Sequence, residues 1–345
     1  MGVLVIGMHR SGTSALAGAL DAMGFEAGPA DDLMEGDEGN PQGYFELRSI
    51  ASLNDEILSH YGGRWDSPPL LAPGWEHDDA ALAYATRARE ALAEVYAGDA
   101  YVLKDPRISL LVPLWRQVTD AGTCAIVIVR EPLEVAASLT HRNGLPTISG
   151  LALWAAYNRA LLRDLEGMAV HICSYTDLVN DPTTVLSEVR DSLQAWTVVT
   201  EDIDLSSAIA SIRPDLRRNN ADDNVESSHL PVEIADLLTL LLDRRGRHDH
   251  FAVKASLEPA WWERALLEER RVLLNWALDR HGVVEAHSAN LETHSSNLVA
   301  ENAMWRQRFE DTERELQALQ GRVDHVKKLI PAPLFRAVTK RSKGT

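Results

Sequence analysis

Residues 3–14 read Val-Leu-Val-Ile-Gly-Met-His-Arg-Ser-Gly-Thr-Ser, an apolar run followed by a short polar turn between two glycines. A continuous apolar run of this kind is typical of a strand buried on both faces in a parallel sheet. The turn leads into a helical pattern that begins near Ala15 and that Gly24 can terminate. At such a junction, backbone N–H groups and the helix N-terminus face one concavity. The stretch predicts a phosphate-binding loop; an ordinary strand-to-helix turn is the simpler alternative.

The turn is close to the P-loop pattern Gly-x-x-x-x-Gly-Lys-Ser/Thr, but Thr13 stands where the pattern has lysine. In P-loop enzymes that lysine neutralises charge on the phosphates of ATP or GTP. The cation in this loop is Arg10, which is placed earlier. A divergent P-loop kinase or NTPase therefore stays as an alternative, with Asp105 as its candidate metal-binding acid.

Three more apolar runs, at residues 101–103, 125–129 and 169–173, have the character of buried strands. Helical patterns separate them, which indicates right-handed βαβ units and a parallel sheet. Strand-like runs stop after about residue 225. We therefore predict an α/β, three-layer, P-loop-like fold with a central parallel sheet, followed by C-terminal helices and a long coiled-coil-like helix.

The chain divides by pattern into a core, a helical extension, a coiled-coil-like helix and a basic tail. The coiled-coil prediction rests on apolar residues seven apart, as in Phe309, Leu316, Val323 and Ile330. This helix would either pack on its own domain or form a homo-oligomer, and a non-catalytic coiled-coil scaffold is a further alternative for the whole protein. The predicted segments are 1–225, 226–282, 283–330 and 331–345.

Composition excludes several classes of protein. The formal net charge of −17 argues against general nucleic-acid binding, which needs a basic surface. The two cysteines, Cys124 and Cys173, lie in strand-like runs and cannot build a disulfide framework or a metal cluster. With no signal peptide or membrane-spanning run in the sequence, we expect a cytoplasmic protein. The basic tail, with apolar residues interleaved, predicts either peripheral contact with an anionic membrane or a solvated terminus.

The residues Arg-Ser-Gly-Thr-Ser after a buried strand resemble the 5′-phosphosulfate loop of sulfotransferases that use 3′-phosphoadenosine 5′-phosphosulfate (PAPS). A second family element is a strand that ends in arginine, followed by a helical serine. Here Val-Ile-Val-Arg-Glu-Pro at 127–132 is followed by Ser138, eight residues after Arg130. In that family the arginine and the serine hold the 3′-phosphate. Residues 174–178 resemble the family's Tyr-x-Asp-Leu segment, and residues 216–218 resemble its late basic loop. The resemblance covers roughly residues 1–225.

The resemblance implies a PAPS-dependent sulfotransferase with no metal requirement. Arg10 would stabilise negative charge on the bridging oxygen, and Tyr175 would approach the adenine. The expected acceptor is a carbohydrate or glycoconjugate hydroxyl, as in bacterial members of the family, with Trp65, Trp75 and Trp154 as possible stacking faces. The residues expected to bind the donor are Arg10, Ser11, Gly12, Thr13, Ser14, Arg130, Ser138, Tyr175, Arg217 and Arg218.

A hydroxyl acceptor needs a general base, and two segments offer one. Residues 39–46 resemble a segment of bacterial family members and end in Glu46, which we expect at the start of a helix. Residues 104–107, Lys-Asp-Pro-Arg, follow a predicted strand. There Lys104 would contact the sulfonate and Asp105 would be the alternative base. His9, His60 and His141 are weaker candidates, and His9 can simply pack beside the loop.

Overall fold

The computed structural model describes residues 1–37, 40, 43–96, 98, 100–199, 203–213, 230–255, 257–274, 300, 303–304, 306–308 and 310–322. The chain forms two units, Met1–Leu273 and Leu274–Thr345. In the second unit, residues 310–322 are helical. Much of the predicted coiled-coil-like helix and all of the basic tail lie outside the described residues. No helix in the described ranges has both the length and the apolar character needed to cross a bilayer.

One five-stranded sheet forms the centre of the first unit, with the order β2-β1-β3-β4-β5. The pairings among the first four strands are parallel, and the last strand is antiparallel to its neighbour. The strands are β1 (Gly2–Ile6), β2 (Tyr101–Lys104), β3 (Cys124–Val129), β4 (Val170–Ser174) and β5 (Gly246–His248).

The prediction that strands end near residue 225 is wrong, because β5 extends the sheet beyond that point. Its sequence, Gly-Arg-His, has no apolar residue, and its side chains are half-exposed or exposed. It is a strand because its backbone pairs with β4. The pattern of apolar residues along the sequence does not reveal this kind of pairing. The sheet is thus mostly parallel, with one antiparallel edge.

In the described part of the first unit, ten α-helices that we number pack around the sheet, and a 3₁₀ turn lies at Trp75–His77. Residues 261–274 are also helical. Asp78 caps a helix, because its Oδ1 accepts the Ala81 N–H at 2.7 Å. The ten are α1 (Thr13–Ala22), α2 (Arg48–His60), α3 (Asp79–Val95), α4 (Ile108–Val118), α5 (Pro132–Asn143), α6 (Thr147–Asp164), α7 (Tyr175–Asn180), α8 (Pro182–Ala195), α9 (Ser206–Ser211) and α10 (Val232–Leu242).

Both faces of the sheet are buried. In β1, Leu4 and Ile6 belong to one apolar cluster, while Val3 and Val5 belong to another. This alternation follows from the two-residue period of a strand. The first cluster includes residues of α2 to α6 and α10, and the second includes residues of α1 and α7 to α9. The predicted three-layer α/β architecture is confirmed.

The sheet has a topological switch point at the carboxyl ends of β1 and β3, because the chain passes from β1 to its neighbour β2 on one side and from β3 to its neighbour β4 on the other. In sheets of this kind, ligands bind in the crevice at such a switch point. Three segments meet there: the loop before α1, the residues after β2, and Arg130 after β3. Ser109 in α4 fixes the start of the loop, since its hydroxyl accepts the Gly7 N–H and donates to the Gly7 carbonyl, both at 3.1 Å.

Candidate functional site

The loop between β1 and α1 has the backbone shape of an anion cradle. Arg10 and Gly12 both have positive φ angles, 71° and 96°. Helix α1 starts directly after Gly12, and no side chain caps its N-terminus. The N–H groups of the first turn of a helix have no intrahelical acceptor, so they are available to an anion. Thr13 and Ser14 line the cleft in front of them, while Ser11 is buried with its N–H bonded to the Met8 carbonyl.

Residues from β3 and α5 contact the loop directly. The Arg10 Nε donates to the Ser138 Oγ at 2.9 Å. The Arg130 Nη1 donates to the Arg10 carbonyl at 3.1 Å, and its Nε donates to Glu134 at 2.7 Å. The structure therefore brings Arg10, Arg130 and Ser138 to one place, although Ser138 is distant from the loop in sequence.

Tyr175, at the start of α7, contacts both the loop and Arg130. A Cβ atom on Gly12 would be 2.2 Å from the Tyr175 ring, so only glycine lets the ring lie this close. The Arg130 guanidinium carbon is 4.6 Å from the ring centroid, a cation–π contact. Tyr175 lines the cleft and is held in position by both contacts.

Lys104, at the end of β2, brings an ammonium group to the loop. Its Nζ donates to the Ser14 Oγ at 3.2 Å, the Tyr44 carbonyl at 2.9 Å and the Glu46 Oε1 at 2.5 Å. Lys104 and Glu46 are both buried. The other Glu46 oxygen lies 3.5 Å from Arg107 Nη1. Glu46 is therefore a buried counter-ion between two cations.

Two expectations for the candidate bases differ from the geometry. Glu46 precedes α2 instead of opening it, because its carbonyl accepts the Met34 N–H at 2.8 Å in an extended segment. Asp105 accepts the Arg107 N–H at 2.7 Å and the Arg107 Nη1 at 3.2 Å. It is buried, and the described residues that line the cleft do not include it.

Several residues that the sequence did not single out also line the cleft. Arg142 from α5 reaches it and binds Asp37 at 2.7 Å, while Tyr44 lies under the Arg142 guanidinium. Arg213, just after α9, also lines the cleft. Its position next to the expected late basic loop is the signal in the sequence that points to it. Arg217 and Arg218 lie outside the described residues.

The cleft is rich in positive charge. Burial, Arg142 and Arg130 together lower the pKa of Arg10, even though Tyr44 and Asp37 act in the other direction. A cation whose pKa falls because of neighbouring cations gains stability from an added anion. Together with the helix N-terminus, these residues can hold a ligand that carries more than one phosphate or sulfate group.

Solved structures that resemble this chain include two sulfotransferase domains. The sulfotransferase domain from the curacin biosynthetic pathway shares 16% identity over 70% of this chain and 96% of its own, with a TM-score of 0.39. The sulfotransferase domain from the Synechococcus PCC 7002 olefin synthase shares 17% identity over 70% of this chain and 94% of its own, with a TM-score of 0.42. No protein-family model and no curated protein matches the sequence. At these values the likeness assigns no activity to the chain.

Proposed function

We propose that this protein is a sulfotransferase that moves the sulfuryl group of PAPS to a hydroxyl of a carbohydrate or glycoconjugate. The observation that carries the proposal is the contact between Arg10 and Ser138, with Arg130 beside both. A donor with phosphates at both the 3′ and 5′ positions needs two anion sites at a fixed separation. The N-terminus of α1 supplies one site, and the Arg130–Ser138 region supplies the other.

The residues present suit such a donor. The amides at the start of α1, with Thr13 and Ser14, would hold the 5′-phosphate. Arg130 and Ser138 would hold the 3′-phosphate, and Tyr175 would contact the adenine. PAPS supplies an activated sulfonate that is attached to a phosphate leaving group.

Charge stabilisation would provide most of the catalysis. Arg10 would stabilise the negative charge that develops on the bridging oxygen, and Lys104 would contact the sulfonate oxygens. Both cations are already held in place, so little reorganisation is needed during the reaction. The two carboxylates first considered as bases, Glu46 and Asp105, are both engaged with cations.

The aromatic residues give the acceptor proposal limited support. Trp154 is fully buried, and its Nε1 donates to the Arg130 carbonyl at 3.0 Å. Trp75 is buried as well. Neither offers a stacking face to a sugar ring, whereas Trp65 is half-buried.

One observation favours a P-loop kinase or NTPase as a second candidate. The Lys104 Nζ reaches Ser14 at the start of α1, so an ammonium group lies at the loop despite Thr13. A magnesium-bound nucleoside triphosphate would then be the ligand. The Arg130–Ser138 site has no role in that function, so the two candidates differ in a measurable way.

Calorimetry on the full chain separates them. The ligands are 3′,5′-ADP without magnesium, 5′-ADP, and ATP with and without magnesium. A sulfotransferase binds 3′,5′-ADP at least about tenfold more tightly than 5′-ADP. Arg130→Lys, which keeps a cation for Glu134 but loses the planar guanidinium, reduces that preference. Tighter binding of magnesium-ATP, with no effect of Arg130→Lys, would reject the proposal.

A further inference from the structure

His9 lies in the anion loop next to Arg10 and lines the cleft. Its ring packs against two aromatic side chains, with centroid distances of 4.7 Å to Trp65 and 5.7 Å to Tyr157. The Tyr157 hydroxyl donates to the Trp65 carbonyl at 2.8 Å, which joins the two walls of this aromatic site. The imidazole is thus held in a defined orientation at the edge of the cleft.

The His9 Nε2 atom is buried and has no hydrogen-bond partner among the described residues. Buried polar atoms without a partner are rare in folded proteins, and each calls for an explanation. Burial lowers the pKa of His9 well below its usual value, and the charges of Arg107, Lys104, Arg10 and Arg142 lower it further. The ring is therefore neutral at pH 7, and one of its nitrogens carries a lone pair.

The carboxylates of Glu46, Asp105 and Asp66 are less suited to accept a proton. Glu46 is paired with Lys104, and Asp105 with Arg107. Asp66, which follows Trp65, is paired with Arg270 at 2.5 Å. A general base needs an available lone pair within reach of the reacting hydroxyl. Among the described groups that line the cleft, the neutral imidazole meets the first requirement best.

We propose that His9 accepts the proton of the attacking acceptor hydroxyl. This inference rests on the proposed sulfotransferase function. In the step, the acceptor oxygen forms a bond to sulfur as the bond from sulfur to the bridging oxygen breaks. The electron pair of that bond stays on the 5′-phosphate of the departing 3′,5′-ADP. The hydroxyl proton moves to the unprotonated ring nitrogen of His9, and the imidazolium later releases it to water.

Donor binding would also strengthen this base. Three of the four cations that disfavour the imidazolium form of His9 line the cleft, namely Lys104, Arg10 and Arg142. A ligand with two phosphate groups brings negative charge that offsets their field. Burial, the largest cause of the lowered pKa, remains when the donor site is filled, but the effect of the cations is reduced. The pKa of His9 is therefore expected to rise on donor binding, which makes the imidazole a stronger base.

The first test needs no acceptor. Histidine-labelled full-length protein is titrated by NMR with and without 3′,5′-ADP, and His9→Asn assigns the resonance. We expect a low pKa for His9 in the free protein and a rise of at least about one pH unit with 3′,5′-ADP. An ordinary pKa in the free protein, or no change on binding, would overturn the coupling.

The second test uses water as the acceptor, followed as the release of 3′,5′-ADP from PAPS. His9→Asn and His9→Gln lower this turnover about 10²- to 10⁴-fold and remove the limb of the pH profile that reports the base. Both variants keep their affinity for 3′,5′-ADP. The matched control is His77→Asn, since the His77 side chain is 70% exposed and outside the cleft.

The outcomes separate this inference from the proposed function. Wild-type protein that does not bind 3′,5′-ADP contradicts the proposed function. Wild-type protein that binds 3′,5′-ADP and consumes PAPS, with turnover unaffected in both His9 variants, contradicts the role of His9 alone. In that case Glu46→Gln, measured in parallel, reports whether the carboxylate is the base.

Discussion

The Arg10 Nε and the Ser138 Oγ lie 2.9 Å apart, and this hydrogen bond joins the loop after β1 to the helix after β3. Serine has one hydroxyl proton and can still donate it while it accepts from Arg10. Ser138 can therefore donate to a phosphate oxygen without losing its contact with the arginine. The pair connects the two anion sites that the proposed donor requires.

Ser138→Ala should lower the affinity for 3′,5′-ADP about 10- to 100-fold, because a hydrogen bond to a charged group is lost. Affinity for 5′-ADP should change little, since that ligand has no 3′-phosphate. Calorimetry with both nucleotides measures the difference. Ser187→Ala is the matched control, because Ser187 is a half-buried serine whose hydroxyl donates to the Thr183 carbonyl within its own helix. An equal loss for both nucleotides would place the 3′-phosphate elsewhere.

Gly12→Ala should abolish tight nucleotide binding. A methyl group there would lie 2.2 Å from the Tyr175 ring, in addition to the strain of a positive φ of 96°. Gly24→Ala is the control for the strain alone, because Gly24 has a φ of 98° and open space around its Cβ position. Both variants should lose about 1–2 kcal/mol of stability from the backbone. Only Gly12→Ala should also lose 3′,5′-ADP binding and the native environment of Tyr175, and equal behaviour of the two would contradict the packing argument.

Much of the fold could be predicted from the sequence, because apolar runs and capping residues mark where many strands and helices begin. The apolar run before Gly7 predicts β1, and Asp78 predicts the start of α3. Glu46 is expected at the start of a helix, but α2 begins at Arg48. Backbone hydrogen bonds join Met34 to both Tyr44 and Glu46, which keeps this segment extended. Such non-local pairing overrides a local helical pattern.

The sequence predicts those site residues that belong to a recognisable local motif. Arg10 and Ser138 follow from the spacing of two family-like elements. Arg142 lies in the last turn of α5 and Arg213 follows α9, and both reach the cleft through tertiary packing. No local pattern signals such convergence. The pairing of Lys104 with Glu46 is also not predictable from a local pattern, because it depends on how the segment before α2 pairs with Met34.

Lys104→Met should destabilise the protein by about 3 kcal/mol, because it leaves the buried Glu46 carboxylate with only the longer contact to Arg107. Lys104→Met/Glu46→Met should recover much of this loss, since the uncompensated charge is removed. Urea unfolding gives the coupling energy from the double-mutant cycle. The exposed pair of Arg87 and Glu56, at 2.8 Å, is the control, and Arg87→Met should change stability by less than about 1 kcal/mol. Additive effects of the two core substitutions would show that the pair is not coupled.

His171 in β4 makes stability depend on pH in a defined window. It is buried, its Nδ1 lies 2.8 Å from the Ser192 Oγ, and its Nε2 has no partner among the described residues. Burial, together with the nearby His248, lowers its pKa to about 4. In the unfolded chain the pKa of histidine is about 6.5. Above that value the ring is neutral in both states, and the full stability is present.

As the pH falls from about 6.5 to about 4, the unfolded chain binds a proton that the folded protein does not, so the free energy of unfolding decreases. The decrease attributable to His171 is about 3 kcal/mol, and it ends below pH 4 because both states are then protonated. His171→Asn removes this part of the pH dependence, and urea unfolding at a series of pH values across the window measures it. The exposed His77, replaced by Asn, should leave the slope unchanged. If His171→Asn kept the wild-type slope, the loss of stability in acid would have to come from other groups, of which the buried His9 is the next to examine.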